Sequence, residues 1–179
     1  MDIQHLLAFN LALFVAIASP GPALLVAIRT NLGSGRRSGL AVGCGLGIMA
    51  ATWTLMAVLG LDSMFRLFPW LYTGVKTAGA AYLLYVAWKM WTGSRNPIEV
   101  TEQKVQHAFW TGLLVNLLNP KAVLFAAAVL IVIFPGKLGL AEGAILVTNH
   151  LLVEWSFYIV LAFVLSTKTV SAKYLQAKV

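Results

Sequence analysis

The sequence predicts an all-α fold, a polytopic membrane helix bundle built from two related halves. Its composition is the first observation behind this prediction: 60% of the 179 residues are hydrophobic, 11% are charged, and the mean hydropathy is +0.84. Such a chain has too few polar residues to cover a soluble surface. The other two observations are apolar runs of bilayer length and an alignment of the chain with itself at an offset of 100 residues.

Five apolar runs reach the roughly 20 residues that a helix needs to cross a bilayer. None of them alternates in polarity as a strand does, and an open sheet in lipid would leave the backbone groups at its edges unpaired. We therefore predict five spanning helices in a single membrane domain, residues 1–179. The runs extend from Leu6 to Ile28, from Gly39 to Leu61, from Pro69 to Trp88, from Ala108 to Phe134 and from Gly143 to Thr167.

An internal repeat relates the two ends of the chain. At the offset of 100 residues, Pro20 aligns with Pro120 and Gly39 aligns with Gly139, without a gap. Matches of Leu and Ala are common between any two apolar segments, whereas a shared proline and shared glycines are not. We therefore predict that the fold is a duplication.

Repeat one is assigned to residues 1–95 and repeat two, which is incomplete, to residues 105–179. Three helices in the first repeat require three in the second, so a 3+3 plan needs a sixth helix. Lys168 to Val179 carries three lysines and resembles only the loop that would lead into that helix.

The basic residues predict the orientation and account for the net charge of +7. Most of them follow the first, third or fifth span, and loops rich in Lys and Arg stay in the cytoplasm. The N-terminus is therefore predicted to face outward, and no nucleic-acid partner is needed to explain the charge. The residues in these loops are Arg29, Arg36, Arg37, Lys89, Arg95, Lys104, Lys168, Lys173 and Lys178.

The motif Ser19-Pro20-Gly21-Pro22 lies inside the first apolar run. Its prolines remove two backbone donors, block carbonyls one turn earlier, and bias the residues before them away from helical angles. Backbone groups freed at membrane depth are tolerated where they line a cavity, and half-helix ends bring partial charge to it. We predict a broken helix and a substrate-translocation site here; a simple proline kink is the alternative.

A second motif occupies the equivalent place in the fourth run and contains Asn116, Asn119, Pro120 and Lys121. Pro120 is predicted to break this helix, and Asn119 can satisfy backbone groups that the break exposes. Lys121 lies near the bilayer midplane, where a charge costs about 3 kcal/mol or more, which argues for a role in translocation.

Lys76 is a third candidate for substrate contact. It lies about two turns into the third predicted helix, too deep for a loop residue. Its long side chain could also carry the ammonium toward the membrane interface by snorkelling.

His150 and Glu154 share one face of the fifth predicted helix, because they are spaced i, i+4. Glu154 is the only acidic residue well inside a predicted span, so we predict that it couples transport to protons, with His150 as a relay member. The alternative is a static ion pair of Glu154 with a lysine. Two such ligands alone do not make a metal site, and none is predicted.

Gly39, Gly43 and Gly47 repeat every four residues along the second predicted helix. Small residues at this spacing let another helix approach closely. The partner helix could belong to the same bundle, which we favour, or to the second copy in a homodimer.

The three motifs together, from Ser19 to Pro22, from Lys76 to Leu83 and from Asn116 to Lys121, resemble the lysine exporter (LysE/RhtB) family of amino-acid exporters. The resemblance covers essentially the whole chain. It implies six helices in two inverted three-helix halves, location in the bacterial inner membrane, and export of amino acids or related small metabolites against proton entry. The chain departs from the family pattern by lacking most of helix six.

The resulting expectation is a secondary exporter without a cofactor, whose partners are an amino-acid-like small molecule and the lipid bilayer. The substrate carboxylate would meet Lys121, Lys76 and exposed half-helix amides, and its ammonium would meet Glu154 or carbonyls freed near Ser19. Alternating access would rock one half against the other.

Two other functions stay open at this point. One is export of metal or inorganic ions, although the sequence has no Cys, His or Asp cluster to support it. The other is a non-transporting or partner-dependent membrane subunit. An enzyme is not expected, because no nucleophile, base and orienting residue are grouped in the predicted cytoplasmic loops.

Overall fold

The computed structural model describes residues 2–61, 70, 77, 104–134 and 138–166 of the chain. Within these ranges the regular structure is entirely helical, which confirms the predicted all-α class. A π-helical turn at Ala57–Leu61 extends the second helix. The helices are α1 (Ile3–Ala18), α2 (Pro22–Met56), α3 (Val105–Leu117), α4 (Pro120–Ile133) and α5 (Leu140–Leu165).

Several of these helices are suited to a bilayer, as the sequence predicted. Pro22–Gly60 and Leu140–Leu165 are each long and apolar enough to cross it. Helices α3 and α4 satisfy the same criterion together, bent by 56° between Val105–Leu117 and Pro120–Ala127, and so form a third, broken span. The polytopic membrane bundle is therefore confirmed, while α1 is apolar but has only 16 residues.

Two predicted segments cannot be compared with the structure. The third span, Pro69 to Trp88, lies outside the described residues except for Trp70 and Thr77. The predicted loop from Lys168 to Val179 also lies outside them.

The connection between the first two predicted spans is a sharp bend rather than an irregular loop. A loop was predicted between Ile28 and Gly39, and within this stretch two helical segments of α2 meet at a kink at Gly35 (φ 76°, ψ −179°). The side chain of Asn31 reaches Gly39 across the kink, although the two residues would lie about 12 Å apart along a straight helix. The charged Arg36 and Arg37 are exposed beside Gly35.

Gly35 adopts a conformation that only glycine reaches without strain, so Gly35→Ala is expected to destabilise the protein by about 1–3 kcal/mol. The strain would come from the backbone alone, because a Cβ at this position has no atom within 4 Å. The measurement is thermal unfolding of the purified chain in detergent. Gly60→Ala is the matched control, since a Cβ there also meets nothing within 4 Å and its φ is not positive. Equal melting temperatures for the two variants would contradict the strain at Gly35.

Helix α2 lies at the centre of the described bundle and packs most extensively on α3 and α5. The backbones of α2 and α3 touch. A Cβ on Gly45 would lie 2.2 Å from the carbonyl oxygen of Phe109, and one on Gly112 would lie 2.2 Å from that of Val42. Paired glycines thus allow a close approach that any side chain would prevent.

Glycines also determine how closely α2 packs on α5. A Cβ on Gly43 would lie 2.5 Å from Cβ of Tyr158, and one on Gly47 would lie 2.6 Å from Cδ1 of Trp155. The predicted small-residue surface is therefore used for packing within the chain. Gly39 is covered by the side chain of Asn31, which lies on the other side of the kink at Gly35.

Aromatic and polar contacts hold helix α1 against α4 and α5. Phe9 is fully buried, and its ring centroid lies 5.9 Å from that of Phe125 on α4. The amides of Asn10 and Asn149 exchange two hydrogen bonds, of 3.3 Å and 2.6 Å. These contacts position the end of α1, where the first proline motif begins.

Candidate functional site

The first break separates α1 from α2. Ser19 and Gly21 have extended backbone angles, and Pro22 is the first residue of α2. In a continuous helix the carbonyl of Ala16 would accept from residue 20, but Pro20 has no N–H. The hydroxyl of Ser19 donates to this carbonyl instead, at 3.1 Å. The motif therefore breaks the helix, as predicted, and satisfies one of the groups that it frees.

At the second break, between α3 and α4, a proline again leaves a carbonyl without its helical donor, and a different side chain bonds to it. Pro120 cannot donate to the carbonyl of Asn116, which accepts instead from the backbone N–H of Asn119 and from the indole Nε1 of Trp53, both at 3.2 Å. The amide of Asn116 also donates to the carbonyl of Leu46 at 2.6 Å. At the start of α4, Asn119 Oδ1 accepts from the backbone N–H of Lys121 at 3.2 Å. The break is thereby attached to the central helix α2.

Lys121 joins the two breaks. Its ammonium donates to the carbonyl oxygen of Ser19 at 3.0 Å and also to the Ser19 hydroxyl oxygen. In an unbroken helix that carbonyl would accept from residue 23, so the lysine replaces a hydrogen bond lost at the break. The two motifs, 102 residues apart in sequence, are in direct contact.

A cavity of about 50 Å³ lies between the two breaks and the middle of α5. Ser19 and Gly21 line it from the first break, and Asn119 and Lys121 line it from the second. Its other polar or ionisable lining residues are Asn116, His150, Glu154 and Tyr158.

His150 and Glu154 form the α5 wall of this cavity. Both are buried, at 2% and 7% exposure. His150 Nε2 lies 3.6 Å from Glu154 Oε1, an electrostatic contact that is too long for a hydrogen bond. His150 Nε2 and Glu154 Oε2 are buried without a hydrogen-bond partner. Unsatisfied groups of this kind need an explanation, such as a water or a ligand.

The static ion pair between Glu154 and Lys121, one of the alternatives from the sequence, is not formed. Among the described residues, the basic group within ion-pair distance of Glu154 is His150, while Lys121 is bonded to Ser19. Over the same residues, no three His, Cys, Asp or Glu side chains are grouped so as to hold a metal ion.

The profile of the LysE type translocator family matches residues 14–179. The chain belongs to this family. It is similar to the uncharacterized membrane protein YahN of Escherichia coli strain K12, with 32% identity over 131 residues, which cover 70% of this chain and 59% of that protein. It is also similar to the threonine efflux protein of the same strain, with 29% identity over 122 residues, 64% of this chain and 59% of the relative.

The threonine efflux protein of Salmonella typhi is a third relative, 29% identical over 135 residues that cover 69% of this chain and 65% of that protein. The matches thus span about three fifths of the length of these relatives. No solved structure matches the chain. The family confirms the resemblance inferred from the motifs and identifies a translocator family rather than an enzyme family. The predicted multi-pass location in the bacterial inner membrane is likewise confirmed.

The structure brings most of the predicted site residues to one cavity. The three prolines of the motifs do not line it, because their part is to break the helices, and Lys76 lies outside the described residues. The predicted residues that do line the cavity are Ser19, Gly21, Asn116, Asn119, Lys121, His150 and Glu154.

Trp53 and Thr54, two residues that contact this site, were missed from the sequence. Both lie in a run predicted only as a spanning helix, and one bonds Asn116 while the other bonds His150. A signal was present for Thr54, because it stands 100 residues before Glu154 and is the position equivalent to it in the repeat.

Proposed function

We propose that this chain forms the core of a secondary exporter, which moves an amino acid through the cavity between the two broken helices in exchange for protons. Membership of a translocator family and the threonine efflux relatives support export of amino acids. The relatives are longer than the matched region, so the activity of the whole protein is part of the proposal.

The observation that carries the proposal is the meeting of Lys121 with Ser19 in a cavity that also contains Glu154. An amino acid is a zwitterion, and this cavity presents a cation and an acid to its two ends. A lysine ammonium has three N–H donors. Two of those of Lys121 are used by Ser19, so one can meet a carboxylate.

The start of α2 offers further donors for a carboxylate. Gly21 precedes the helix and no side chain caps its first turn, and Ala23 and Leu24 line the cavity there. Backbone amides at a helix start favour anions, and broken helices of transporters use such ends to bind substrate carboxylates.

Glu154 is the better partner for the substrate ammonium. The sequence left two choices, this carboxylate or the carbonyls freed near Ser19. The Ser19 carbonyl is already occupied by Lys121, whereas Glu154 Oε2 is buried and has no hydrogen-bond partner. An ammonium bonded there would satisfy the acceptor.

The cavity must enlarge for an amino acid to pass. As bounded by the described residues, about 50 Å³ holds about three to five waters, whereas ligand pockets measure about 300–1,000 Å³. Rocking of one repeat against the other is the movement we propose, because each repeat contributes one broken helix to the walls.

The duplication, which we propose as two inverted repeats of three helices, explains why the cavity is chemically one-sided. Four polar lining residues of repeat two stand 100 positions after small residues of repeat one that also line the cavity. Small residues opposite the polar ones leave room for long side chains and avoid pairing like charges. The equivalent positions are Ala16 and Asn116, Ser19 and Asn119, Gly21 and Lys121, and Ala50 and His150.

The test of the site is Lys121→Met against Lys121→Arg, with L-threonine as the probe in loaded proteoliposomes. We expect Lys121→Met to slow threonine efflux at least about tenfold, since a hydrogen bond to a charged group contributes about 1.5–3 kcal/mol. Lys121→Arg keeps the charge and should retain more efflux.

A competition assay gives the matched control. Threonine methyl ester, which lacks the carboxylate, should compete poorly in the wild type and no worse than threonine in Lys121→Met. Equal discrimination against the ester in both proteins would contradict a carboxylate site at Lys121.

The other functions from the sequence would give different results in the same vesicles. A metal or ion exporter would move ions but no amino acid, and a partner-dependent subunit would move neither by itself. A homodimer stays a prediction, which cross-linking in the membrane can test.

A further inference from the structure

We propose that Thr54 is a positioning residue, whose hydroxyl holds His150 in the tautomer that directs an N–H at Glu154. Its hydrogen bond with His150 connects the central helix α2 to α5. The effect on transport rests on the proposed proton coupling, whereas the tautomer can be measured without it.

The contact is short and fully enclosed. Thr54 Oγ1 lies 2.7 Å from His150 Nδ1, and Thr54 has 0% exposure. The imidazole ring is fixed by aromatic neighbours, with Phe9 at 5.7 Å and Phe125 at 6.0 Å between centroids, both edge to face. The ring therefore presents Nδ1 to α2 and Nε2 to the cavity side of α5.

The tautomer follows from where the hydroxyl hydrogen of Thr54 can go. Within the described part of the chain, His150 Nδ1 is the acceptor available to this hydroxyl. If Nδ1 carried the proton, the buried hydroxyl hydrogen would have no acceptor, which costs about 1–3 kcal/mol. Nδ1 is therefore the acceptor and the proton of the neutral ring resides on Nε2.

The carboxylate on the other side of the ring selects the same tautomer. A bare Nε2 would present its lone pair to Glu154 Oε1 at 3.6 Å, and two acceptors facing each other repel. An N–H at Nε2 instead faces the negative oxygen. Thr54 and Glu154, equivalent positions in the repeat, thus act on opposite nitrogens of His150.

Among the described residues, few other charged or titratable groups surround the pair. The cavity lining brings Lys121 from α4 and Tyr158 from α5. From α1, α2 and α3, the described lining residues carry no titratable side chain.

In this arrangement an N–H of His150 faces the Glu154 carboxylate at 3.6 Å, and the ring has no unprotonated nitrogen on that side to accept a proton. A relay role, as predicted from the sequence, would require a bare Nε2. Removal of the Thr54 hydroxyl makes that tautomer accessible, so that a protonated Glu154 could donate to the ring.

The direct test is nitrogen-15 NMR of the imidazole in the full chain. The chain has three histidines, so His5→Gln with His107→Gln leaves His150 as the single signal. For the neutral ring we expect that Nε2 is protonated and Nδ1 is unprotonated. Thr54→Val should weaken this preference, because only Glu154 then acts on the ring, and Thr54→Ser should keep it. A protonated Nδ1 in the chain with Thr54 intact would overturn the proposal, even if Thr54→Val did not fold.

Transport supplies the second readout. The pH profile of threonine efflux should differ from that of the wild type in Thr54→Val and match it in Thr54→Ser. A wild-type profile in Thr54→Val, with proton-driven efflux present, would overturn the proposal. If the NMR result holds but no variant and no wild type shows proton-driven efflux, the proposed coupling fails while the positioning of His150 by Thr54 stands.

Discussion

Glu154→Gln is expected to abolish proton-driven efflux while the protein stays folded and inserted. Gln has the same shape as Glu but cannot take up or release a proton. The fold should tolerate it, because Glu154 Oε2 has no hydrogen-bond partner and its contact with His150 is a long one. The measurement is threonine efflux from proteoliposomes under an imposed pH gradient, compared with efflux without one.

Glu142→Gln is the matched control for this prediction. Glu142 is the other acid of α5 and caps the start of the helix by accepting from the N–H of Gly139 at 3.0 Å, a bond that a Gln oxygen can keep. This variant should respond to the pH gradient as the wild type does. If Glu154→Gln responds equally well, Glu154 does not couple transport to protons.

Gly112→Leu is expected to prevent stable folding, with a loss of at least about 3 kcal/mol. A Cβ at Gly112 alone would lie 2.2 Å from the carbonyl oxygen of Val42 and 3.1 Å from the N of Leu46. Both obstacles are backbone atoms of α2, which cannot rotate away as a side chain can. The helices would have to separate, and the hydrogen bond from Asn116 to the Leu46 carbonyl would be lost with them.

The measurement is size-exclusion chromatography of the detergent-solubilised chain, followed by its melting temperature. Gly112→Ala should destabilise less than Gly112→Leu but clearly more than Gly60→Ala. Gly60→Leu is the control for a large apolar residue at an unpacked glycine, and it should elute as the wild type does. A folded Gly112→Leu with an unchanged melting temperature would contradict the backbone contact between α2 and α3.

The candidate site residues could be selected from the sequence because each has a chemical cost in a membrane. Lys121 and Glu154 are charges inside apolar runs, and the prolines remove backbone hydrogen bonds that lipid cannot replace. Such features can be recognised without knowing the fold. The structure places Lys121, Glu154 and the two proline breaks around one cavity.

Other residues that contact the cavity site carry no comparable signal in the sequence. Trp53 and Thr54 are ordinary in a membrane helix, and they matter only because α2 turns them toward Asn116 and His150. The partner of Lys121 was equally hidden: a charge alone suggests an opposite charge, but the structure pairs this lysine with the freed carbonyl of Ser19.

The linear sequence by itself determined the class of the protein, its helices and the two places where they break. These depend on local composition and on the missing N–H of proline, which act on any chain in a bilayer. Only the tertiary structure decided that the chain bends sharply at Gly35, and which side chains meet across the cavity. Those outcomes depend on which faces of distant helices are brought within about 3 Å of each other, the range of a hydrogen bond, and no local pattern specifies that.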